Sequence, residues 1–356
     1  RHRLSSLQAK SAADGPGMKE FRAELRSVAA GSLPHTDPAA ACQLMASSLD
    51  IAAWPQLPRR SFHENMYCQF SERFPGVVVA DERISLDRNL DLETELEQLY
   101  LAYLTDDLEH GSISPDYAAG LHCFLENGVG QFPIVKGHVT GPVSWSLTVT
   151  DEDRKPLLYD EVLAEAVSKH LRLKAAWMER SLGALSPQTI MYLDEPYMSC
   201  FGSAFVSLGR EQVLSMLDEV LAGINGLTGI HCCGNTDWSV LLATTVDILN
   251  VDAYAFAESL ALFPEEVGAF LDRGGIIAWG IVPASAQALE ETVDSLAERF
   301  LQAVGLLVSK GLHQDDILAS ALVMPSCGCG SLTMEMAERV LQLTGRLSTA
   351  LQERYA

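Results

Sequence analysis

The sequence predicts an α/β protein folded as a (β/α)8 TIM barrel, and three observations lead there. Apolar, β-branched or small runs alternate with amphipathic stretches, the order of strands and helices that builds a parallel sheet. The chain has 356 residues, long for an average domain but ordinary for one such barrel. No Gly-x-Gly-x-x-Gly joins a strand to a helix, which weakens the runner-up, a doubly wound open sheet holding a dinucleotide.

Residues 1–17, RHRLSSLQAKSAADGPG, are polar and aperiodic and read as a disordered tail or expression remnant. A single barrel domain is expected over 18–356, beginning at Met18. The strands read in order as RSVAAGS, FPIVKGHVTG, TIMYLDEP, TGIHCC, DILNVDAY, GGIIAWGIVP and ILASALVMP. Helical periodicity covers 158–182, 210–224, 236–245, 258–272, 287–310 and 331–353. Residues 51–128 parse poorly and are expected to hold one barrel unit and an insertion with extra helices. Short-period repeats and low-complexity linkers are missing.

Composition narrows the function. Hydrophobic residues are 48% and charged residues 20%, enough for a large core. No apolar run spans a bilayer and no charged-then-apolar leader opens the chain, so a soluble, cytoplasmic protein with no membrane partner is expected. Lys and Arg total 25 against 47 Asp and Glu, a net charge of −22, which argues against nucleic acid as a partner. Eight cysteines do not make a disulfide scaffold in a chain of this length. Cys42, Cys68, Cys123 and Cys200 are scattered, whereas Cys232/Cys233 and Cys327/Cys329 form two tight clusters of the kind that bind metal or react.

Reactive groups gather where the predicted strands end: Gly31, Ser32 and His35; Thr140; Asp194 and Glu195; His231, Cys233 and Asn235; Asp252; Cys327 and Cys329. In a barrel those ends share one face, the face that carries active sites. Side chains along a strand alternate, so His231 and Cys233 point together and Cys232 points away. An imidazole and two thiolates from His231, Cys233 and Cys327 suit tetrahedral zinc and leave one position open, as catalytic zinc does. Cys329 is an alternative third sulfur, and satisfied core residues are the plain alternative for each. Asn235 and Asp237 have the position of helix caps, Glu195 could be a helix-start carboxylate, and Trp145, Tyr197 and Trp279 could wall a pocket or fill core.

His-x-Cys followed by Pro-x-Cys-Gly resembles the catalytic barrel of cobalamin-independent methionine synthase and its relatives, the uroporphyrinogen-decarboxylase-like corrinoid methyltransferases. AAGSLPHTD, RSFHENMYCQF, VTGPVSWS and YLDEP resemble further segments of that family in chain order, from Met18 to the C-terminus. The resemblance implies zinc on His231, Cys233 and Cys327, with Asp252 standing where the family has a glutamate near the metal. It implies Gly31, Ser32, Glu64 and Asp194 at the amino-acid end of homocysteine, Glu64 and Asp194 taking its amine. The bound thiol would be methylated to give methionine.

Two departures shape the expectation. The sequence shows no counterpart of the duplicated N-terminal half of the folate-using synthase, so a core-only version is the expectation. The strand position of the histidine that aids the folate nitrogen is Ile281 by its proline register. A methylcorrinoid, carried on a separate corrinoid protein and not stably bound, needs no proton on leaving, so it is the expected donor unless His35 or His138 serves as the acid. The competing readings are another thiol acceptor such as coenzyme M, a porphyrinogen-decarboxylase-like lyase, and a non-catalytic zinc-binding member.

Overall fold

The computed structural model describes residues 21–126, 132–204 and 206–355, so the expected tail at 1–17 lies outside the described residues. In chain order the elements are α1 (Pro38–Ser48), β1 (Ala52–Ala53), β2 (Val77–Ala80), β3 (Arg83–Leu86), α2 (Leu92–Leu104), α3 (Ala119–Glu126), β4 (Val135–Thr140) and α4 (Pro142–Thr148). Then come α5 (Glu161–Leu182), β5 (Thr189–Asp194), α6 (Arg210–Leu221), β6 (Leu227–Cys232), α7 (Trp238–Leu242), β7 (Ile248–Val251) and α8 (Ala253–Leu260). The chain closes with α9 (Pro264–Asp272), β8 (Ile276–Val282), α10 (Val293–Val308), α11 (Gln314–Ala319), β9 (Ala321–Pro325) and α12 (Met334–Tyr355).

The sheet is parallel, seven-stranded, and runs in the order β1-β4-β5-β6-β7-β8-β9. A closed eight-stranded barrel was the expectation, and the first predicted strand is where it departs. Residues 25–28 lie between the two edges of the sheet without forming a strand. Toward β9, Leu25 N donates to Ala321 O at 2.9 Å, Val28 N to Val323 O at 3.0 Å, and Val323 N to Arg26 O at 3.0 Å. Toward β1, Ile51 N donates to Ser27 O at 3.0 Å, but Ser27 N and Oγ both bond the Asp50 carboxylate at 2.8 Å. A side chain thus takes the bonds a backbone ladder would need, leaving one isolated bridge, Ser27 to Val323.

The sheet has two buried faces. Inside, Val28, Ile51, Ile190, Tyr192, Ile248, Ile276, Leu322 and Met324 pack as one cluster. Outside, alternate residues meet the helices; Val135, Met191, Ile230, Leu249, Ile277 and Val323 belong to the larger cluster. Near-continuous burial on both faces explains why the strands read as unbroken apolar runs. The helix α5 shows how a covering helix is specified. Asp160 caps it by accepting from Val162 N and Leu163 N, and Leu163, Val167, Leu171 and Met178 recur on its buried face. Each such side chain contributes roughly 1.5–3 kcal/mol by leaving water.

Between β1 and β4 the described residues hold the antiparallel hairpin β2–β3 with α2 and α3, the insertion foreseen for 51–128. Periodicity read 258–272 as one helix; the structure has α8 and α9, divided at Pro264, and α8 begins earlier, capped by Asp252. No helix among the described residues is long and apolar enough to cross a membrane.

Candidate metal centre and adjoining cavity

Parallel pairing sets one row of residues across five strands: Thr140 beside Asp194, Asp194 beside His231, His231 beside Asn250, and Asn250 beside Ala278. Thr140, Asp194, His231 and Asn250 lie at or next to the carboxyl ends of β4 to β7, so their inward side chains converge, while Ala278 sits earlier in β8. Cys233 follows His231 by two residues and faces the same way. Cys327 arrives from the loop after β9. The ligand atoms of His231, Cys233 and Cys327 all lie within 4.8 Å of one another. Ligand atoms around tetrahedral zinc stand about 3.5–3.8 Å apart for bond lengths near 2.0–2.3 Å. One nitrogen and two sulfurs at this spacing fit zinc in donor type and, with small movements, in geometry.

Local hydrogen bonds hold the three side chains. Asn250 Oδ1 contacts His231 Nδ1. Burial alone would lower the His231 pKa, but the Cys233 thiolate and the Asp194 charge outweigh it and raise it. Cys233 is brought down to about 4 because Cys327 and His231 both donate to it. Cys327 moves up for the same reason, so one ionised and one protonated thiol share the site. The Cys327 loop is clasped by Ser32, whose carbonyl accepts from Cys329 N at 2.9 Å and whose Oγ accepts from Gly330 N at 3.3 Å. A side chain at position 328 would collide with Ser32 Oγ and one at 330 would press on Pro58, which accounts for the two glycines of Cys-Gly-Cys-Gly.

A cavity of about 250 Å³ opens beside the triad, lined by Ala30, Ser32, Gln56, Asn65, Met66, Asp194, His231, Cys233 and Cys327 among others. This is below the size of a drug-binding pocket and matches a small amino acid. Asp194 is half-buried beside it, and its buried Oδ1 has no hydrogen-bond partner among the described residues. Burial pushes its pKa up, while Lys136 and His231 pull the other way. Lys136 is itself fully buried, donating to Ala30 O under the Tyr192 ring, and burial takes it down to about 8.

The other expected residues fall differently. Glu64 does not line the cavity: it is fully buried and bonded to Arg60 Nη1 at 2.8 Å, while its neighbours Asn65 and Met66 reach the wall. Asp252 is outside the three-ligand group and caps α8 by accepting from Ala255 N at 3.0 Å. It remains close enough to His231 and Cys233 to feel their charge, and burial raises it to about 6. Gly31 sits between lining residues with φ +138°, and any side chain there would strike His138. His138 is stacked 4.1 Å from Trp54, and both its ring nitrogens lack partners among the described residues. His35 is buried with its Nδ1 likewise unpartnered. Cys329 is buried outside the triad with its thiol pushed up to about 12. Trp145 and Trp279 are core, Tyr197 is partly exposed, and Asp237 caps α7. Ile281 packs in the outer core cluster, so its identity bears on packing and not on the cavity.

Glu195 turns away from the cavity. Its carboxylate accepts from Val143 N at 2.9 Å, Ser144 N at 2.8 Å and Ser144 Oγ, capping α4 from a neighbouring strand. Burial takes its pKa up to about 7 against these donors. A side chain at 141 would overlap that carboxylate, so Thr-Gly-Pro and Asp-Glu-Pro are two halves of one structural joint. Glu195→Gln leaves a buried donor facing a donor and is expected to cost about 2–3 kcal/mol, read as a lowered denaturation midpoint with metal content unchanged.

Sequence reasoning missed Asn250, Gln56, Asn65 and Met66. An asparagine inside the apolar run DILNV was the one available signal, since a buried amide needs partners.

No protein-family profile matches the chain, and no curated protein matches it in sequence. Solved structures do. A B12-independent methionine synthase from Shewanella sp. W3-18-1, described in complex with selenomethionine, aligns with TM-score 0.57 at 15% identity, covering 92% of this chain and 98% of that one. A putative vitamin-B12 independent methionine synthase from Listeria monocytogenes aligns with TM-score 0.48 at 15% identity, over 74% of this chain and 88% of the other. At this identity the Shewanella likeness establishes a shared α/β fold, and the case for function stands on the site itself.

Proposed function

We propose that the chain transfers a methyl group from a methylcorrinoid, presented by a separate corrinoid protein, to the thiol of homocysteine, giving methionine, with zinc on His231, Cys233 and Cys327. One observation carries the reading: a nitrogen and two sulfurs spaced for zinc stand beside a carboxylate whose buried oxygen has no partner among the described residues, in a cavity of amino-acid size. Zinc held by these three residues would keep a substrate thiol deprotonated near neutral pH.

The chain's own residues do the rest. Asp194 Oδ1 accepts the substrate ammonium, and Ser32 and Asn65 offer polar groups to its carboxylate end. Holding both ends fixes the sulfur for in-line attack, the proximity part of the catalysis. The thiol proton leaves to solvent, the sulfur lone pair forms the S–CH3 bond, and the cobalt–carbon pair stays on cobalt. Two further features favour this pairing. No Lys or Arg lines the cavity among the described residues, which disfavours a sulfonate acceptor such as coenzyme M and a porphyrinogen lyase alike. In this reading its titratable lining groups are all assigned, His231, Cys233 and Cys327 to the metal and Asp194 to the ammonium, which leaves none to protonate a folate nitrogen. The cavity holds the acceptor only, so the donor meets the sulfur at its mouth.

Zinc-loaded protein mixed anaerobically with methylcobalamin and homocysteine is expected to yield methionine as the corrinoid spectrum changes. Turnover with methyltetrahydrofolate but not methylcobalamin overturns the donor. Turnover with coenzyme M but not homocysteine overturns the acceptor.

A further inference from the structure

We infer that Asn250 is a positioning residue that fixes the tautomer of His231 and aims the lone pair of its Nε2 at the Cys233–Cys327 pair. The argument is a proton count. Asn250 is fully buried on β7, between His231 on β6 and Ala278 on β8 in the same register row. Its Nδ2 donates to the Ala278 carbonyl at 2.7 Å. A carbonyl oxygen only accepts, so the amide NH2 must face Ala278 and Oδ1 must face His231. Oδ1 only accepts as well, so the His231 Nδ1 in contact with it carries the hydrogen. The hydrogen that Nε2 gives to Cys233 in the charged ring is then the one missing from the neutral ring, whose lone pair lies on Nε2, the nitrogen left for the two thiols.

The sheet locks this arrangement. Asn250 is held at both ends by adjacent strands, so the amide cannot rotate without opposing two acceptors. A neutral amide also orients the ring without adding charge. The site already gathers Asp194, Asp252 and two thiols, and a carboxylate at position 250 would add a fifth acidic group to that set. The tautomer assignment stands on the hydrogen bonds alone; its consequence for affinity rests on the proposed metal.

Long-range proton–nitrogen NMR of His231 in metal-free protein, at alkaline pH where the ring is neutral, is expected to show the Nδ1–H tautomer. Asn250→Leu removes both bonds and is expected to mix the tautomers and weaken zinc binding by about 10–100-fold. Asn250→Ser, too short to reach both strands, tests the same loss if leucine is not accommodated. Asn250→Asp still accepts from Nδ1–H and is expected to retain the tautomer, which separates positioning from packing. An Nε2–H tautomer in the unsubstituted protein overturns the inference, as does unchanged tautomer and affinity in Asn250→Leu. If the unsubstituted protein binds no zinc, the metal reading fails and the tautomer measurement still decides this one.

Discussion

Cys233→Ser is expected to abolish metal retention and turnover together. Cys233 is central to the triad: it takes hydrogen bonds from both Cys327 and His231, and it is the thiol held ionised, at about 4. A serine hydroxyl is not an anion at neutral pH and offers a shorter, harder donor where the geometry suits sulfur. Losing one of three protein ligands costs more than the 10–100-fold expected for an outer partner, so zinc affinity should fall by more than ~10³-fold. Elemental analysis after gel filtration with a chelator reads the loss. Cobalt(II) substitution reads it separately, through the thiolate charge-transfer bands. Cys329→Ser and Cys232→Ser are the controls. Cys329 is buried outside the triad, and Cys232 points away and bonds Gly234 O at 3.5 Å. Both should keep one zinc per chain. Stoichiometric zinc in Cys233→Ser, or its loss in Cys329→Ser, would sink the ligand assignment.

The parts of this molecule that were legible in the sequence are those governed by short-range period. Alternation along a strand is enough to put His231 and Cys233 on one side, and a proline with glycines is enough to mark the Cys327 loop. Neither needs knowledge of neighbouring strands. What was not legible depends on register between strands. Asn250 matters because β6, β7 and β8 align it with His231 and Ala278, and no local pattern encodes that alignment. Glu64 and Asn65 differ by one position in a short turn, and which of them faces the cavity is decided by Arg60 claiming the carboxylate. The seven-stranded sheet has a similar cause: Ser27 and Asp50 are unremarkable apart and remove a ladder when they meet. Ile281 is the same lesson in reverse. Its proline register put it in the place of the family's histidine, yet by simple alternation it follows Ile277 and Trp279 and packs with them in the outer core cluster.

Asp194→Asn is expected to separate recognition of an amino acid from reactivity toward a thiol. Asp194 is the one carboxylate among the described residues that lines the cavity, and its Oδ1 has no hydrogen-bond partner among them. An ionised acceptor for an ammonium group is worth about 1.5–3 kcal/mol, and the amide that replaces it turns an NH2 toward that ammonium. The kcat/KM for homocysteine should therefore fall by roughly 10–150-fold. A short thiol lacking the amine, such as 3-mercaptopropionate, should be methylated slowly and equally by both proteins, because it never used the carboxylate. Zinc content should not change, since Asp194 stands outside the three-ligand group. Glu64→Gln provides the contrast: with Glu64 held by Arg60 behind the wall, its loss should lower stability and leave the homocysteine KM within about twofold. An equal fall for both thiols in Asp194→Asn would mean the carboxylate serves the metal site and not the substrate. A large KM effect confined to Glu64→Gln would move the amine site to the other side of the wall, and with it the whole orientation of the substrate.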